Sequence, residues 1–174
     1  MDVLAEANSF PADSFDYVVF AHCSWYFNSL DRLRQTLMRV RPGARALCVS
    51  EWNLVPQATD QLAHLLAVLL QGQVEAFRDH SDSNIRTLFT QDALERLIRE
   101  AGWSELAVSS IDSSGLQDAQ WEIAMCRDTS IRQARAIGLP ARFVDLLNTE
   151  VNLLQKLAAM PGQKSLSSFA IRAR

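Results

Sequence analysis

Two short apolar segments separated by an amphipathic helix constrain the fold of this chain more than any other feature. Residues 17–21 form a continuous apolar run rich in β-branched and aromatic side chains, and residues 46–50 form a second run. Such runs are typical of strands that are buried on both faces of a parallel sheet. Between them, Leu33, Leu37 and Val40 recur at helical spacing. The pattern predicts a β-α-β unit with a right-handed crossover.

The rest of the chain alternates helical and strand patterns without a repeat or a linker-like segment. Apolar spacing and stop signals predict four further helices and two further strands. The helices are expected over residues 57–77, 90–102, 118–135 and from Pro140 to the stop signal at Pro161, and the strands over 106–111 and 166–172. The helix over 118–135 is expected to turn Trp121 and Met125 inward. We interpret residues 1–174 as a single α/β domain.

Composition narrows the function classes and the cellular setting. The formal net charge is −3 and the pI is about 5.6, so no basic surface for nucleic acid is expected. The longest apolar stretch is far shorter than the roughly 20 residues of a membrane span. No signal peptide opens the chain, and its three cysteines follow no disulfide or zinc spacing. We therefore expect a cytoplasmic protein that binds neither membranes nor metal.

The segment from residue 14 to residue 44 carries a resemblance to a known family. Residues 14–19 read Ser-Phe-Asp-Tyr-Val-Val, and residues 39–44 read Arg-Val-Arg-Pro-Gly-Ala before the second strand. In this order the two segments resemble the fourth-strand and fifth-strand motifs of class I S-adenosylmethionine-dependent methyltransferases. Residues 90–103 resemble a later helix of that family. The resemblance implies a partial Rossmann-like sheet of strands four to seven, with helices on both faces and a helical insertion before the last strand.

The family's glycine-rich cofactor segment has no counterpart in this sequence. All six glycines are isolated, and only 13 residues precede the fourth-strand motif. The family's strand order is 3-2-1-4-5-7-6, so the chain would be a truncated domain that lacks strands one to three. The fourth strand would then be an open apolar edge, which native proteins cover or pair. We therefore expect a homo-oligomer or a complex with a methyltransferase-like partner.

Candidate site residues cluster where the two central strands end. The resemblance places the end of strand four beside the cofactor and the acceptor, and the near-neutral pKa of histidine suits proton transfer. The predicted catalytic residues are His22 and Glu51; the predicted contacts to S-adenosylmethionine are Glu6, His22, Cys23 and Ser24; the predicted substrate contacts are Trp25, Tyr26, Trp52 and Trp121. The histidine, the cysteine and the aromatic residues also have structural alternatives, as a hydrogen-bonded histidine, a small buried thiol and core aromatic rings.

Two functions from different classes follow. The first is methyl transfer from S-adenosylmethionine to a small organic molecule, in natural-product biosynthesis, with a partner supplying the missing half. The sulfonium is already activated, so this reaction needs alignment and a proton acceptor rather than a nucleophilic triad. The second is a non-catalytic methyltransferase-like subunit that serves in binding or scaffolding.

Overall fold

The computed structural model describes residues 3–5 and 10–174, and it contains all the helices and strands that the sequence predicts. They are β1 (Phe15–Ala21), α1 (Leu30–Val40), β2 (Ala44–Trp52), α2 (Leu62–Glu75), α3 (Gln91–Glu100), β3 (Ala107–Ile111), α4 (Asp118–Ala136), α5 (Ala141–Ala158) and β4 (Ser168–Ala173). The helix expected from residue 57 begins five residues later, because Thr59–Gln61 forms a single 3-10 turn.

The four strands form one mixed sheet in the order β1-β2-β4-β3. β1 and β2 are parallel, whereas β4 runs antiparallel to both β2 and β3. Since β1 and β2 correspond to strands four and five, and β3 and β4 to strands six and seven, the order is four-five-seven-six. This is the order that the resemblance implies, and it confirms the partial Rossmann-like sheet.

One face of the sheet holds the main core. Leu47 and Val49 of β2 and Phe169 and Ile171 of β4 are all buried on this face. The helices α1 and α3 contact each other and contribute to the same core. The start of α1 is fixed by Ser29, whose side chain accepts a hydrogen bond from the backbone N–H of Arg32 at 3.1 Å.

The opposite face is largely uncovered. Val19 on β1 is 64% exposed, and its neighbours in register across the sheet include the partly exposed Cys48 and the exposed Arg172. A shallow depression of about 260 Å³ over this face is lined by strand residues alone. The expectation of helices on both faces therefore holds for one face only, and β1 is not buried on both sides. Among the described residues β1 pairs only with β2, so it is an edge strand.

Three helices form a second layer with its own core. α2, α4 and α5 pack together around buried side chains that include Leu70, Cys126 and Leu147. The two helices α4 and α5 are the predicted insertion before the last strand. The inward orientation expected of Trp121 and Met125 is wrong, because they are 66% and 55% exposed. α4 instead buries small residues, namely Ala119, Cys126, Ser130 and Ala134, which allow α2 to approach closely. No helix in the described part of the chain has the length and hydrophobicity to cross a bilayer.

Candidate active site at the carboxyl ends of β1 and β2

The two parallel strands bring their polar ends to one edge of the sheet. β1 ends at Ala21, and the N–H of the next residue, His22, donates a hydrogen bond to the carbonyl of Ser50 on β2 at 2.9 Å. His22 has a φ of 48°, a left-handed conformation that non-glycine residues rarely adopt. The sharp change of direction ends the strand and places the imidazole beside Glu51. Ligands of open α/β sheets bind at such carboxyl ends.

Glu51 is a buried carboxyl group held by the backbone. Its side chain is 2% exposed; Oε2 accepts from the N–H of Ser24 at 3.0 Å, and Oε1 accepts from the N–H of Trp52 at 3.1 Å. Burial raises its pKa from 4.5 to about 7, and these two hydrogen bonds oppose that rise. Glu51 therefore changes its protonation state near neutral pH, which suits a group that supports proton transfer.

His22 lies between Glu51 and a serine pair. Its Nδ1 is 3.6 Å from Glu51 Oε1, and its Nε2 is 3.3 Å from the Oγ of Ser168. The Ser113 hydroxyl donates to the carbonyl of Leu166 at 2.9 Å and lies 2.8 Å from Ser168 Oγ. Since a hydroxyl has one proton, Ser168 donates to Ser113, and Ser168 Oγ is left to accept from Nε2–H of His22. The unprotonated nitrogen is then Nδ1, beside Glu51.

The protonation state of His22 suits a proton acceptor. Burial lowers its pKa below 6.5, although the carboxylate of Asp118 at the start of α4 opposes this shift. The imidazole is therefore neutral at neutral pH, and its side chain is 37% exposed. A proton taken up at Nδ1 produces an imidazolium next to Glu51, and the ionised form of that carboxyl group stabilises the positive charge.

Two of the aromatic residues that were predicted to contact the substrate are buried beside His22 and Glu51. Trp25 is 1% exposed and Trp52 is 9% exposed. The Trp52 ring packs edge-on against His22, Trp25 and His64, with centroid separations of 5.6, 5.5 and 4.7 Å. Their burial assigns both tryptophans to the core in this structure, where Trp52 contacts the imidazole and Trp25 packs against Trp52. Their contact with a substrate stays a prediction.

The remaining predicted residues differ in their position and in their exposure. Tyr26 is 42% exposed, and its pKa is raised by burial and by Glu51, so it lies close to the pair. Trp121 is exposed on α4, one turn after Asp118. Glu6 lies outside the described residues. Cys23 is partly buried, and burial raises its pKa, which keeps it a neutral thiol.

Ser24 is fully buried and holds Glu51 through its backbone N–H, so its side chain has no surface in this structure for a cofactor. Sequence reasoning missed Ser113 and Ser168, because a serine in an alternating strand or a turn gives no signal of its partner. Among the described residues no group of three histidine, cysteine or acidic side chains is placed to hold a metal ion.

Comparison with known proteins identifies the fold. No family profile and no curated protein sequence matches the chain. A cyclopropane-fatty-acyl-phospholipid synthase-like protein from Lactobacillus casei is 31% identical, with a TM-score of 0.74 over 91% of this chain and 55% of that protein. This likeness and the sheet order four-five-seven-six decide the fold. The chain has a partial class I methyltransferase fold.

Two further solved structures are more distant. A SAM-dependent methyltransferase from Archaeoglobus fulgidus is 12% identical, with a TM-score of 0.47 over 99% of this chain and 65% of that protein. A phosphoethanolamine N-methyltransferase from Haemonchus contortus, in complex with phosphomonomethylethanolamine and S-adenosylhomocysteine, is 13% identical. Its TM-score is 0.44 over 95% of this chain and 34% of that protein. The chain thus spans between about a third and two thirds of these proteins' lengths.

The described residues fit one side of an S-adenosylmethionine site. The left-handed turn at His22 exposes a polar strand end, and the open sheet face continues from it. A class I cofactor cradle also needs glycines that follow a strand, where the backbone approaches the ligand closely. Of the six glycines only Gly115 closely follows a strand, in the turn between β3 and α4, and it is a single glycine rather than a glycine-rich segment. The described residues thus include a candidate proton-transfer pair at the strand ends and no glycine-rich segment after a strand.

Proposed function

We propose that this chain supplies the acceptor side of an S-adenosylmethionine-dependent methyltransferase that acts on a small organic molecule. The observation that carries the proposal is the His22–Glu51 pair at the adjoining ends of the two parallel strands of a class I methyltransferase sheet. The net charge of −3 favours a small acceptor over nucleic acid. A role in natural-product biosynthesis is part of the same proposal.

The chain's own residues hold and move a proton in this scheme. Bound S-adenosylmethionine supplies an activated methyl group, so the protein has to orient the acceptor and remove its proton. His22 accepts that proton at Nδ1, and Glu51 stabilises the resulting charge from 3.6 Å. The Trp52 ring and the Ser168–Ser113 pair fix the imidazole on its other sides. Tyr26 and Trp121 offer exposed aromatic surface to the acceptor.

We further propose that a second polypeptide, either another copy or a methyltransferase-like chain, covers the open sheet face and completes the cofactor site. Three apolar side chains of β1, those of Phe15, Tyr17 and Val19, are 46%, 54% and 64% exposed. An apolar edge strand of this kind favours pairing with another chain.

The lack of a glycine-rich segment after a strand favours one alternative function. In that alternative, the chain is a non-catalytic subunit that uses this half of the fold for binding. NMR spectra of the ¹⁵N-labelled chain with S-adenosylmethionine distinguish the two functions. For the acceptor side of a methyltransferase we expect weak, saturable shifts at residues 22–24, with a Kd in the millimolar range, about −4 kcal/mol. His22→Asn should weaken them, whereas His80→Asn, at an exposed loop position, should not. The absence of shifts at about 10 mM cofactor would contradict the methyltransferase and favour the subunit.

Light scattering tests the need for a second polypeptide. We expect the purified chain to form dimers or larger species, and Val19→Lys to shift it toward the monomer, because a charge on the open face opposes pairing. Leu146→Lys, at a 51% exposed position on α5, is the matched control and should change nothing. A wild-type chain that is a monodisperse monomer with a cooperative melt would overturn this proposal.

A further inference from the structure

A polar cleft separate from the His22–Glu51 pair lies between α2, α4 and the segment that follows α2. Its volume is about 350 Å³, and its lining includes Gln71, Glu75, Glu122 and Met125. This volume lies within the range of pockets that take small organic ligands. None of the residues assigned above to proton transfer or aromatic support lines it.

The cleft carries more negative than positive charge. Three carboxyl groups, those of Glu75, Asp82 and Glu122, face a single guanidinium, that of Arg78. Arg78 Nη1 lies 2.8 Å from Glu75 Oε1 and so pairs with one oxygen of that group. The pocket therefore has an excess of acceptors and of negative charge, which a cationic ligand would balance.

Glu75 gives a second, independent sign of an absent partner. Its side chain is 4% exposed, yet its Oε2 is buried and has no hydrogen-bond partner among the described residues. A buried polar atom without a partner costs about 1–3 kcal/mol, so native proteins seldom retain one without a reason. Glu122 faces the same cleft and is partly buried; its Oε2 accepts from Gln71 Nε2 at 2.8 Å. Burial raises the pKa of Glu122, and the hydrogen bond from Gln71 opposes that rise.

We propose that this cleft binds a small organic molecule through its ammonium group, with Glu75 and Glu122 as the recognising carboxylates and Met125 against its apolar part. An ammonium has three donors, which match the free Glu75 oxygen and the remaining lone pairs of Glu122. A metal ion fits less well, since no cluster of three ligands is found in the described residues. Charge-assisted hydrogen bonds of this kind give specificity as well as affinity.

The cleft is linked to the candidate active site through the backbone. Directly after the cleft-lining segment 81–84, the N–H groups of Arg86 and Thr87 donate to the carbonyl of Trp25 at 3.0 and 3.1 Å, and Trp25 immediately precedes Tyr26. An ammonium-bearing molecule is therefore the acceptor class that the cleft favours, an assignment that rests on the proposed function. Binding itself does not rest on it, because it requires neither the cofactor nor methyl transfer.

Benzylamine and benzyl alcohol are matched probes, because they share a ring and differ in the ammonium group. In ¹⁵N NMR titrations of the chain without cofactor, we expect saturable shifts with benzylamine at residues 71–84 and 122–133. Benzyl alcohol should bind at least fivefold more weakly. Glu122→Gln and Glu75→Gln, which preserve shape and remove charge, should each weaken benzylamine binding at least fivefold. Glu100→Gln, on the exposed side of α3, is the control and should leave binding unchanged.

Three results would overturn the proposal: equal binding of the amine and the alcohol, shifts confined to other parts of the chain, or unchanged binding in both glutamine variants. Backbone spectra of each variant show whether it is folded, so a loss of binding cannot be confused with unfolding. Failure here leaves the cofactor titration unaffected, because that experiment monitors residues 22–24. The two proposals therefore fail separately.

Discussion

Glu51→Gln should change how the stability of this protein depends on pH. The carboxyl group is 2% exposed, and burial raises its pKa from 4.5 to about 7 in the folded state. The folded chain therefore holds this proton over a range in which the unfolded chain has lost it. Stability from this group is complete below pH 4.5 and is lost as the pH rises through about 7. At about 1.4 kcal/mol per pH unit, the loss amounts to about 3 kcal/mol.

Urea unfolding of wild type and variant at pH 5, 6, 7 and 8 measures this effect. A glutamine cannot accept from both backbone amides, so the variant loses a constant amount of about 1–3 kcal/mol at every pH. The free energy of unfolding of Glu51→Gln minus that of wild type should then rise by about 2–3 kcal/mol between pH 5 and pH 8. Glu100→Gln, at an exposed position, should show no such trend. Parallel curves for wild type and Glu51→Gln would refute the argument that burial keeps the proton on Glu51.

Three further predictions test the supporting structure. Trp25→Ala should lower the free energy of unfolding in urea by about 3–5 kcal/mol, because the side chain is 1% exposed. Trp121→Ala, at a 66% exposed position, should lower it by less than about 0.5 kcal/mol. Similar losses in the two variants would contradict the assignment of Trp25 to the core. His64 is buried, and burial lowers its pKa to about 4. The stability that its neutral form contributes to folding is therefore complete above pH 6.5 and is lost as the pH falls toward 4. His64→Asn keeps an acceptor for the Leu166 N–H, and it should reduce the loss of unfolding free energy between pH 6.5 and pH 4 by about 3 kcal/mol. The same loss in variant and wild type would contradict this assignment. At the left-handed position of His22, asparagine should be tolerated, whereas valine should cost about 1–3 kcal/mol; equal unfolding free energies of the two variants would show that the turn is not strained.

The order of elements could be predicted from the sequence because each carries a strong local pattern. The apolar spacing of Leu33, Leu37 and Val40 determines one buried helical face, and Ser29 caps it. The family resemblance then supplied the strand order, which local patterns cannot determine. The buried face of α4 was predicted wrongly, because this helix packs through small residues while its large side chains, Trp121 and Met125, face outward.

The site was predictable only in part. His22 and Glu51 follow adjacent parallel strands, and strand polarity brings such residues together whatever lies between them. The contact of His22 with Ser168 spans 146 positions and depends on the antiparallel register of β4, which no local pattern reveals. The burial of Trp25 and Trp52 was equally hidden, since an aromatic residue after a strand suits a core and a pocket alike.

The most direct test of the proposed proton acceptor is a ¹⁵N NMR titration of the side chains of the three histidines. It reports both the pKa of His22 and the nitrogen that carries its proton. The structure predicts a neutral imidazole at pH 7, with a pKa below 6.5 and the proton on Nε2 toward Ser168. An imidazolium that persists above pH 7, or a proton on Nδ1 in the neutral form, would contradict the role of His22 as the group that accepts the proton.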